Sequence, residues 1–169
     1  MNSPTELTEY EKYKNEIKDR PSWDEYFIER ARSAAKRSKD PSTKIGGIIV
    51  GPNNEIISTG YNSFVRGIND DVPERFERPE KYKWFEHAER NAIYCAARRG
   101  APLDGCRIFL SCWTPCTDCM RAIIQVGITE VILGTKDGVS GQAKWIGEAE
   151  RSAQMAAEAG VSIRYYDGV

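Results

Sequence analysis

The chain has 169 residues and a mass of 19.1 kDa, the size of one domain with a substantial core. Its 24 Lys and Arg face 25 Asp and Glu, so the formal net charge is -1 and no positive excess attracts nucleic acid or anionic lipid. No apolar run approaches the roughly 20 residues that span a bilayer, and the first residues contain no signal-peptide core. We therefore expect a cytoplasmic protein without a membrane or nucleic-acid partner.

The first part of the chain divides into an extension and the start of the main domain. We predict that residues 1–21 form an N-terminal extension and that residues 22–169 form the single folded domain. Within the extension, Glu6 to Ile17 has apolar residues at helical spacing, although its charge density makes an isolated helix marginal. A Ser-x-x-Glu capping box then predicts a helix from about Trp23 to Arg37.

A hairpin and a long irregular segment follow this helix. Two strands, Ile45 to Val50 and Glu55 to Thr59, are joined by a turn rich in Gly, Pro and Asn. From Gly60 to Lys83 the sequence has no sustained period, and a loop of that length inside a compact domain is usually functional or mobile. We interpret this loop as a candidate ligand-binding lid.

The second half of the chain alternates helices and strands. Helices are predicted over Glu86–Arg99, Cys116–Gln125 and Gly141–Ala159, and strands over Arg107–Ser111, Glu130–Leu133 and Val161–Tyr165. Together with the hairpin, this order indicates an α/β fold in which helices cover a mixed sheet.

The chain has one histidine, His87, and two residues later it has Glu89. Such an H-x-E pair alone means little, because a lone histidine is more often structural or solvated than a metal ligand. Further along, Cys116 and Cys119 form a CxxC pair one helical turn apart. This pair alone could be a redox dithiol or half of a structural zinc site.

The remaining cysteines bear on these alternatives. A structural zinc site needs four protein ligands, yet Cys95, Cys106 and Cys112 form no second CxxC and no second histidine exists. Three ligands with one open position is the stoichiometry of catalytic zinc, which lowers the pKa of bound water towards neutrality. Both ligand sets fall in the first turn of predicted helices, where the helix dipole favours thiolates. Glu89 is offset from the ligand direction and could reach the water, although it could also be an ordinary first-turn acid.

Several motifs resemble those of a known enzyme family. His87 to Ile93 reads H-A-E-R-N-A-I and resembles the H-A-E-x-N-A-I segment of deoxycytidylate deaminases, and H-x-E with P-C-x-x-C is the arrangement of zinc deaminases. Arg37 to Pro41 and Ile45 to Val50 are similar to the opening helix end and first strand of that family, and Gly60-Tyr61-Asn62 is similar to its G-Y-N. The resemblance runs over residues 23–166 with the motifs in order. The chain is thus identified as a member of the cytidine and deoxycytidylate deaminase superfamily.

This resemblance implies a fold and a catalytic centre. The expected fold has three layers, α-β-α, with helices on both faces of a mixed five-stranded sheet. The implied cofactor is one Zn²⁺ per chain, and its implied ligands are His87, Cys116 and Cys119. Glu89 is the implied general acid and base.

The resemblance also implies a substrate. The expected reaction is hydrolytic deamination of dCMP to dUMP and ammonia, with Asn62 at the sugar 3′-hydroxyl. A phosphate needs cationic donors near the first strand, the loop or the metal helix, and among the candidates we favour Lys44 over Arg66, Arg75, Lys81 and Arg90. The same chemistry on another cytosine compound stays open: a 5-substituted dCMP, dCTP, a nucleoside or a nucleic-acid base. A non-catalytic nucleotide-binding module is the alternative of another class.

Members of the family often form homo-hexamers that dCTP and dTTP regulate through the segment after G-Y-N. The corresponding candidate effector-binding residues in this chain are Arg66, Asn69, Asp70 and Asp71. Ser63 replaces the usual Gly and Phe64-Val65 is bulkier than the usual pair, so regulation stays open.

Overall fold

The computed structural model describes residues 7–18, 20–134 and 143–166. Its helices are α1 (Glu9–Lys18), α2 (Trp23–Ala35), α3 (Lys81–Trp84), α4 (Ala88–Ala97), α5 (Thr117–Gln125) and α6 (Ala143–Glu158), with a 3₁₀ turn at Pro73–Phe76. Its strands are β1 (Gly46–Val50), β2 (Ile56–Tyr61), β3 (Ser63–Phe64), β4 (Phe85–Glu86), β5 (Arg107–Leu110), β6 (Glu130–Leu133) and β7 (Ser162–Tyr165). Within these ranges, no helix combines the length and the apolar character that a membrane crossing requires.

The main sheet has five strands in the order β2-β1-β5-β6-β7. β1 pairs antiparallel with β2 and β5, whereas β5, β6 and β7 run parallel. The parallel strands follow the helical connections, because parallel neighbours need a crossover and antiparallel neighbours need only a hairpin. The predicted mixed five-stranded sheet is therefore confirmed.

Alternating side chains along the strands divide the core between two faces of the sheet. Ile48 and Val50 of β1 pack with Phe27 and Ile28 of α2 on one face. Ile49 lies on the other face, in the larger cluster that also includes Ala92 and other residues of α4 and α5. This period of two buries both faces of the sheet and confirms the three-layer α-β-α arrangement.

Two glycines let helices contact the sheet at backbone distance. A Cβ atom on Gly46 would lie 2.0 Å from the carbonyl oxygen of Ala31 in α2. On the opposite face, a Cβ on Gly60 would lie 2.2 Å from the carbonyl oxygen of Ala88 in α4. Gly60 therefore fixes how closely α4 approaches β2.

The α2 helix begins as the sequence predicts. The Ser22 hydroxyl accepts a hydrogen bond from the Glu25 backbone N–H at 3.2 Å, which is the expected cap. The helix α1, which precedes α2, has no buried residue, as expected for an extension that does not contribute to the core. The division of the chain near residue 21 stays a prediction.

The segment 60–83 is more ordered than its lack of period suggests. It contains the 3₁₀ turn and β3, which pairs with β4 just beyond the segment so that Phe64 lies opposite Phe85. The rings of Phe64, Phe76 and Phe85 pack together with centroid separations of 4.3–5.8 Å. These contacts are non-local, so no sequence period reports them.

Some predictions reach beyond the described residues. Residues 1–6 and 19 of the extension and residues 135–142 and 167–169 of the domain lie outside them, and residues 141–142 are the start of the predicted last helix.

Candidate active site

Three potential metal ligands meet where two helices begin. His87 is the N-cap residue of α4 and Cys116 is the N-cap residue of α5, each with extended backbone. Cys119 follows in the first turn of α5 and is fully buried. His87 and Cys116 thus lie one residue before the first turn in which they were predicted. The N-termini of two helices therefore meet at the cluster, and the positive ends of their dipoles favour negative charge on the thiols.

The separations within this cluster fit zinc. His87 Nδ1 lies 3.5 Å from Cys116 Sγ and 3.4 Å from Cys119 Sγ, and all three ligand atoms are within 4.8 Å of one another. Tetrahedral zinc with ordinary Zn–N and Zn–S bonds separates such atoms by about 3.6 Å. The two thiols and the imidazole are therefore already spaced as zinc ligands.

Without metal, these groups share protons. Hydrogen bonds from Cys119 and His87 outweigh burial and lower the pKa of the Cys116 thiol to about 4. The hydrogen bond to Cys116 raises the pKa of His87 to about 9. The same partner and burial keep the pKa of Cys119 well above its usual range. The site consequently holds a thiolate at Cys116, and a bound zinc ion would displace the protons of the His87 imidazolium and the Cys119 thiol.

Glu89 lies beside the three ligands in the first turn of α4. Its side chain is only 4% exposed, and burial raises the pKa of its carboxyl. A raised pKa suits a carboxyl group that must accept and return a proton near neutral pH. The sequence-predicted residues Glu89, His87, Cys116 and Cys119 are therefore all brought together.

An ion-pair network connects the starts of α4 and α5. Arg90 Nε donates to Glu86 Oε1 at 2.7 Å, and the same guanidinium lies 3.6 Å from the Asp118 carboxylate. Glu86 also accepts the backbone N–H of His87. This network fixes the helix that carries His87 against the helix that carries the cysteines.

The site opens into a cavity of about 210 Å³, hereafter the first cavity. Its lining includes His87, Glu89 and Cys116 together with the aromatic residues Phe85 and Trp113. An apolar enclosure with a few polar groups is typical of small-molecule sites.

A buried polar network forms another part of this wall. Lys81 Nζ lies 2.6 Å from the Asp40 carboxylate and 2.8 Å from Ser42 Oγ. Burial opposes ionisation of Asp40, but hydrogen bonds from Lys81, Ser42 and Thr43 lower the pKa of its carboxyl. Asp40 and Lys81 are 5% and 6% exposed, so the pair is shielded from water.

Asn62 lines the first cavity, as predicted, but its amide is already engaged. Nδ2 donates to Asp40 at 3.2 Å and to the Thr43 carbonyl at 2.8 Å, and Oδ1 accepts from the Ile45 backbone N–H. Asn62 therefore shapes the wall, and its predicted contact with a sugar would have to share these bonds.

The structure places Lys44 away from the first cavity, and its role as phosphate ligand stays a prediction. Lys44 is exposed and does not line the first cavity, whereas Lys81 and Arg78 do. Lys81 faces inwards because Asp40 is buried beneath it, and this pairing spans 41 positions of the sequence. Arg78 was missed because only the fold brings its segment to the cavity.

Comparison with known proteins defines the family. Residues 21–135 match the family described as the cytidine and deoxycytidylate deaminase zinc-binding region. The chain belongs to this deaminase family. An uncharacterized deaminase in the luxG 3′ region of Aliivibrio fischeri is 36% identical over 145 residues, which cover 85% of this chain and 92% of that relative.

Two further relatives are named for dCMP. The deoxycytidylate deaminase of Mus musculus is 40% identical over 115 residues, which cover 65% of this chain and 63% of the mouse enzyme. The chain thus spans less than two thirds of the length of that relative. The dCMP deaminase of cyanophage S-TIM5, solved in complex with dCMP and dUMP, matches with a TM-score of 0.67 at 23% identity, covering 89% of this chain and 97% of the other. That similarity shows the shared deaminase fold.

A second cavity of about 250 Å³ lies beside β2 and β3 of this family member. Of the candidate effector residues, Arg66 and Asp70 line it, together with Arg37 and Lys39. Asn69 and Asp71 do not line this second cavity. Asn69 instead accepts the Asp71 backbone N–H and helps shape the loop. The structure therefore brings two of the four predicted residues together.

Proposed function

We propose that this chain is a zinc-dependent hydrolase that converts dCMP to dUMP and ammonia. The observation that carries the proposal is the spacing of His87, Cys116 and Cys119 beside the buried carboxyl of Glu89. Membership of the deaminase family supports the chemistry, and the names of the relatives support the nucleotide.

In this proposal the three ligands hold the metal and Glu89 moves the protons. Zinc bound there supplies Lewis acidity, which lowers the pKa of a water molecule towards neutrality. Glu89 accepts the two protons of the attacking water in turn and delivers the first to the ring nitrogen and the second to the departing amine. The C4–O bond forms first, and the C4–N bond breaks once the amine is protonated, so ammonia and the uracil ring are the products.

The first cavity supplies binding and exclusion of water. Phe85 and Trp113 offer apolar ring surfaces against which a pyrimidine can pack. Asn62 contributes to the sugar side of the pocket, where one of its existing hydrogen bonds would be shared with the 3′-hydroxyl. The wall formed by Asp40 and Lys81 is rigid because both charges are paired and buried.

Assembly and regulation complete the proposal. The second cavity, with Arg66, Arg37 and Lys39, offers cationic groups to a nucleotide effector such as dCTP or dTTP. The predicted Asn69 and Asp71 would act there only through the loop. We further propose a homo-oligomer such as a hexamer and a cytoplasmic location for the enzyme.

The test is ultraviolet-monitored deamination by the zinc-loaded protein on deoxycytidine, dCMP, dCTP, 5-methyl-dCMP and a cytosine oligonucleotide. We expect the highest kcat/KM for dCMP. The Glu89→Gln variant should retain zinc and lose about 10²- to 10⁴-fold in turnover, because general acid–base catalysis typically contributes that much. Glu150→Gln is the matched control, since Glu150 is exposed and outside the first cavity.

The outcomes separate the alternatives. A higher kcat/KM on another cytosine compound would keep the zinc chemistry and replace the substrate. Unchanged turnover in Glu89→Gln would contradict the role of that carboxyl. Zinc binding without turnover of any compound would favour the non-catalytic nucleotide-binding module.

A further inference from the structure

The first cavity has an unusually acidic lining for a site that would receive a phosphate. Its carboxyl groups belong to Asp40, Glu86, Glu89 and Glu148. A phosphomonoester carries a charge of about -1.5 to -2 at neutral pH, so it needs a cation that outweighs these groups. The cations that line the cavity thus decide whether a nucleotide is accepted.

The described lining residues offer three cationic groups. His87 is committed to the metal cluster, and Lys81 is held by Asp40 and Ser42 at 2.6 and 2.8 Å. Both are therefore occupied before a substrate arrives. Arg78 is the remaining cation, and among the described residues no carboxylate or carbonyl accepts a hydrogen bond from its guanidinium.

The position of Arg78 suits the outer end of a nucleotide. Glu89 at 4% exposure lies at the floor of the cavity, whereas Arg78 is exposed and lies at its mouth. A cytosine whose C4 amino group reaches the floor leaves its 5′ end towards the mouth. The Arg78 guanidinium lies 5.9 Å from the centre of the Tyr82 ring, which also lines the cavity and limits where the guanidinium can go.

We propose that Arg78 binds the 5′-phosphate of the substrate and makes the enzyme prefer dCMP to deoxycytidine. The inference rests on the proposed function and adds the side chain that binds the phosphate. A guanidinium can donate two parallel hydrogen bonds to one phosphate, which no single ammonium reproduces. Arg78 is a specificity residue in this assignment, and it takes no part in proton transfer.

The experiment compares wild type, Arg78→Gln and Arg78→Lys on dCMP and on deoxycytidine. Arg78→Gln should lower kcat/KM for dCMP by about 10- to 100-fold, the effect of losing a charged hydrogen bond, and should change kcat/KM for deoxycytidine less than about twofold. The kcat/KM of Arg78→Lys for dCMP should lie between those of wild type and Arg78→Gln, because lysine keeps the charge and loses the paired donors. Zinc content and melting temperature verify that each variant is folded.

Lys83→Gln is the matched control, because Lys83 belongs to the same segment but does not line the cavity and pairs with Glu80 instead. Its kcat/KM for dCMP and for deoxycytidine should equal those of wild type. An equal loss on dCMP and deoxycytidine in Arg78→Gln, or no loss on dCMP, would overturn the assignment.

Calorimetric binding of the product dUMP keeps this inference distinguishable from the proposed function. If wild type turns over no cytosine compound, the proposed function fails. Weaker dUMP binding by Arg78→Gln than by wild type would still uphold Arg78 as the phosphate ligand. Equal dUMP binding by the two proteins, or none by wild type, would overturn it.

Discussion

At the scale of single residues, the five cysteines differ sharply in chemistry. Cys116 and Cys119 lie against His87, while Cys106 and Cys112 are buried and burial raises the pKa of each thiol. A buried thiol with a raised pKa behaves as a small apolar side chain. The surroundings therefore separate metal ligands from packing residues although the residue type is the same.

The difference leads to a prediction on metal removal. Cys116→Ser should lose the zinc that wild type binds at about one per chain, because a hydroxyl does not replace a thiolate ligand. Its melting temperature should fall and should no longer respond to a chelator, since metal binding contributes to folding stability. Elemental analysis and thermal melts with and without chelator measure both effects.

Cys95→Ser is the control for this experiment. Cys95 is partly exposed on α4 and does not belong to the metal cluster. It should keep the zinc and the chelator response. Full zinc retention in Cys116→Ser would show that the metal lies elsewhere.

At the scale of elements, the contact between α4 and β2 positions the site. The two elements meet at Gly60, where a Cβ would lie 2.2 Å from the Ala88 carbonyl oxygen and 2.4 Å from the Ala92 nitrogen. Both neighbours are helix backbone, so they cannot move aside separately. Any side chain at position 60 must displace α4, which begins at the metal ligand His87.

Gly60→Ala should therefore damage both stability and activity. We expect the free energy of unfolding to fall by about 1–3 kcal/mol, as for other overpacked cores. A displacement of about 1 Å at His87 and Glu89 should lower kcat/KM for dCMP by roughly 10²-fold. Denaturant unfolding and steady-state kinetics measure the two quantities.

Gly147→Ala provides the opposite case on α6. A Cβ at that position meets no atom within 4 Å, so the substitution should stabilise the helix by about 0.5–1 kcal/mol. If Gly60→Ala were as stable and active as wild type, the close approach of α4 would be irrelevant to the site.

At the scale of the whole molecule, acid stability should depend on the buried pair of Asp40 with Lys81. The pKa of Asp40 is lowered in the folded protein from the ordinary value of 3.8. Its stabilisation is therefore present above about pH 4 and is lost as the pH falls through the lower folded pKa. The wild-type free energy of unfolding should decrease over that acidic range.

Asp40→Asn should be less stable than wild type by about 3–5 kcal/mol at pH 7, because it leaves the Lys81 charge buried without its partner. Its stability should vary less with pH below 4. Denaturant unfolding from pH 2.5 to 7 tests this, with the exposed Asp71→Asn as control. If the free energy of unfolding changed with pH in the same way for wild type and Asp40→Asn, the buried pair would not be the source of the acid sensitivity.

The sequence predicts the layers of this molecule better than its pocket. Periodicity and caps locate α2 and β6, because those signals arise from neighbouring residues. The metal cluster is also predictable, since its ligand types and spacing are restricted. Which cations line the first cavity is not predictable from the sequence. Lys81 turns inwards because its partner Asp40 lies 41 positions away in the sequence, and Arg78 reaches the cavity only through the fold of the segment 60–83.

Alternation along Tyr61, Asn62 and Ser63 separates the two cavities. Tyr61 and Ser63 line the second cavity, while Asn62 between them lines the first. Inserting or deleting one residue just before this stretch would exchange the two linings and remove Asn62 from its partners Asp40 and Thr43. Although it borders a long irregular segment, this short stretch must keep its length, so we expect insertions and deletions to preserve both cavities only at positions beyond it.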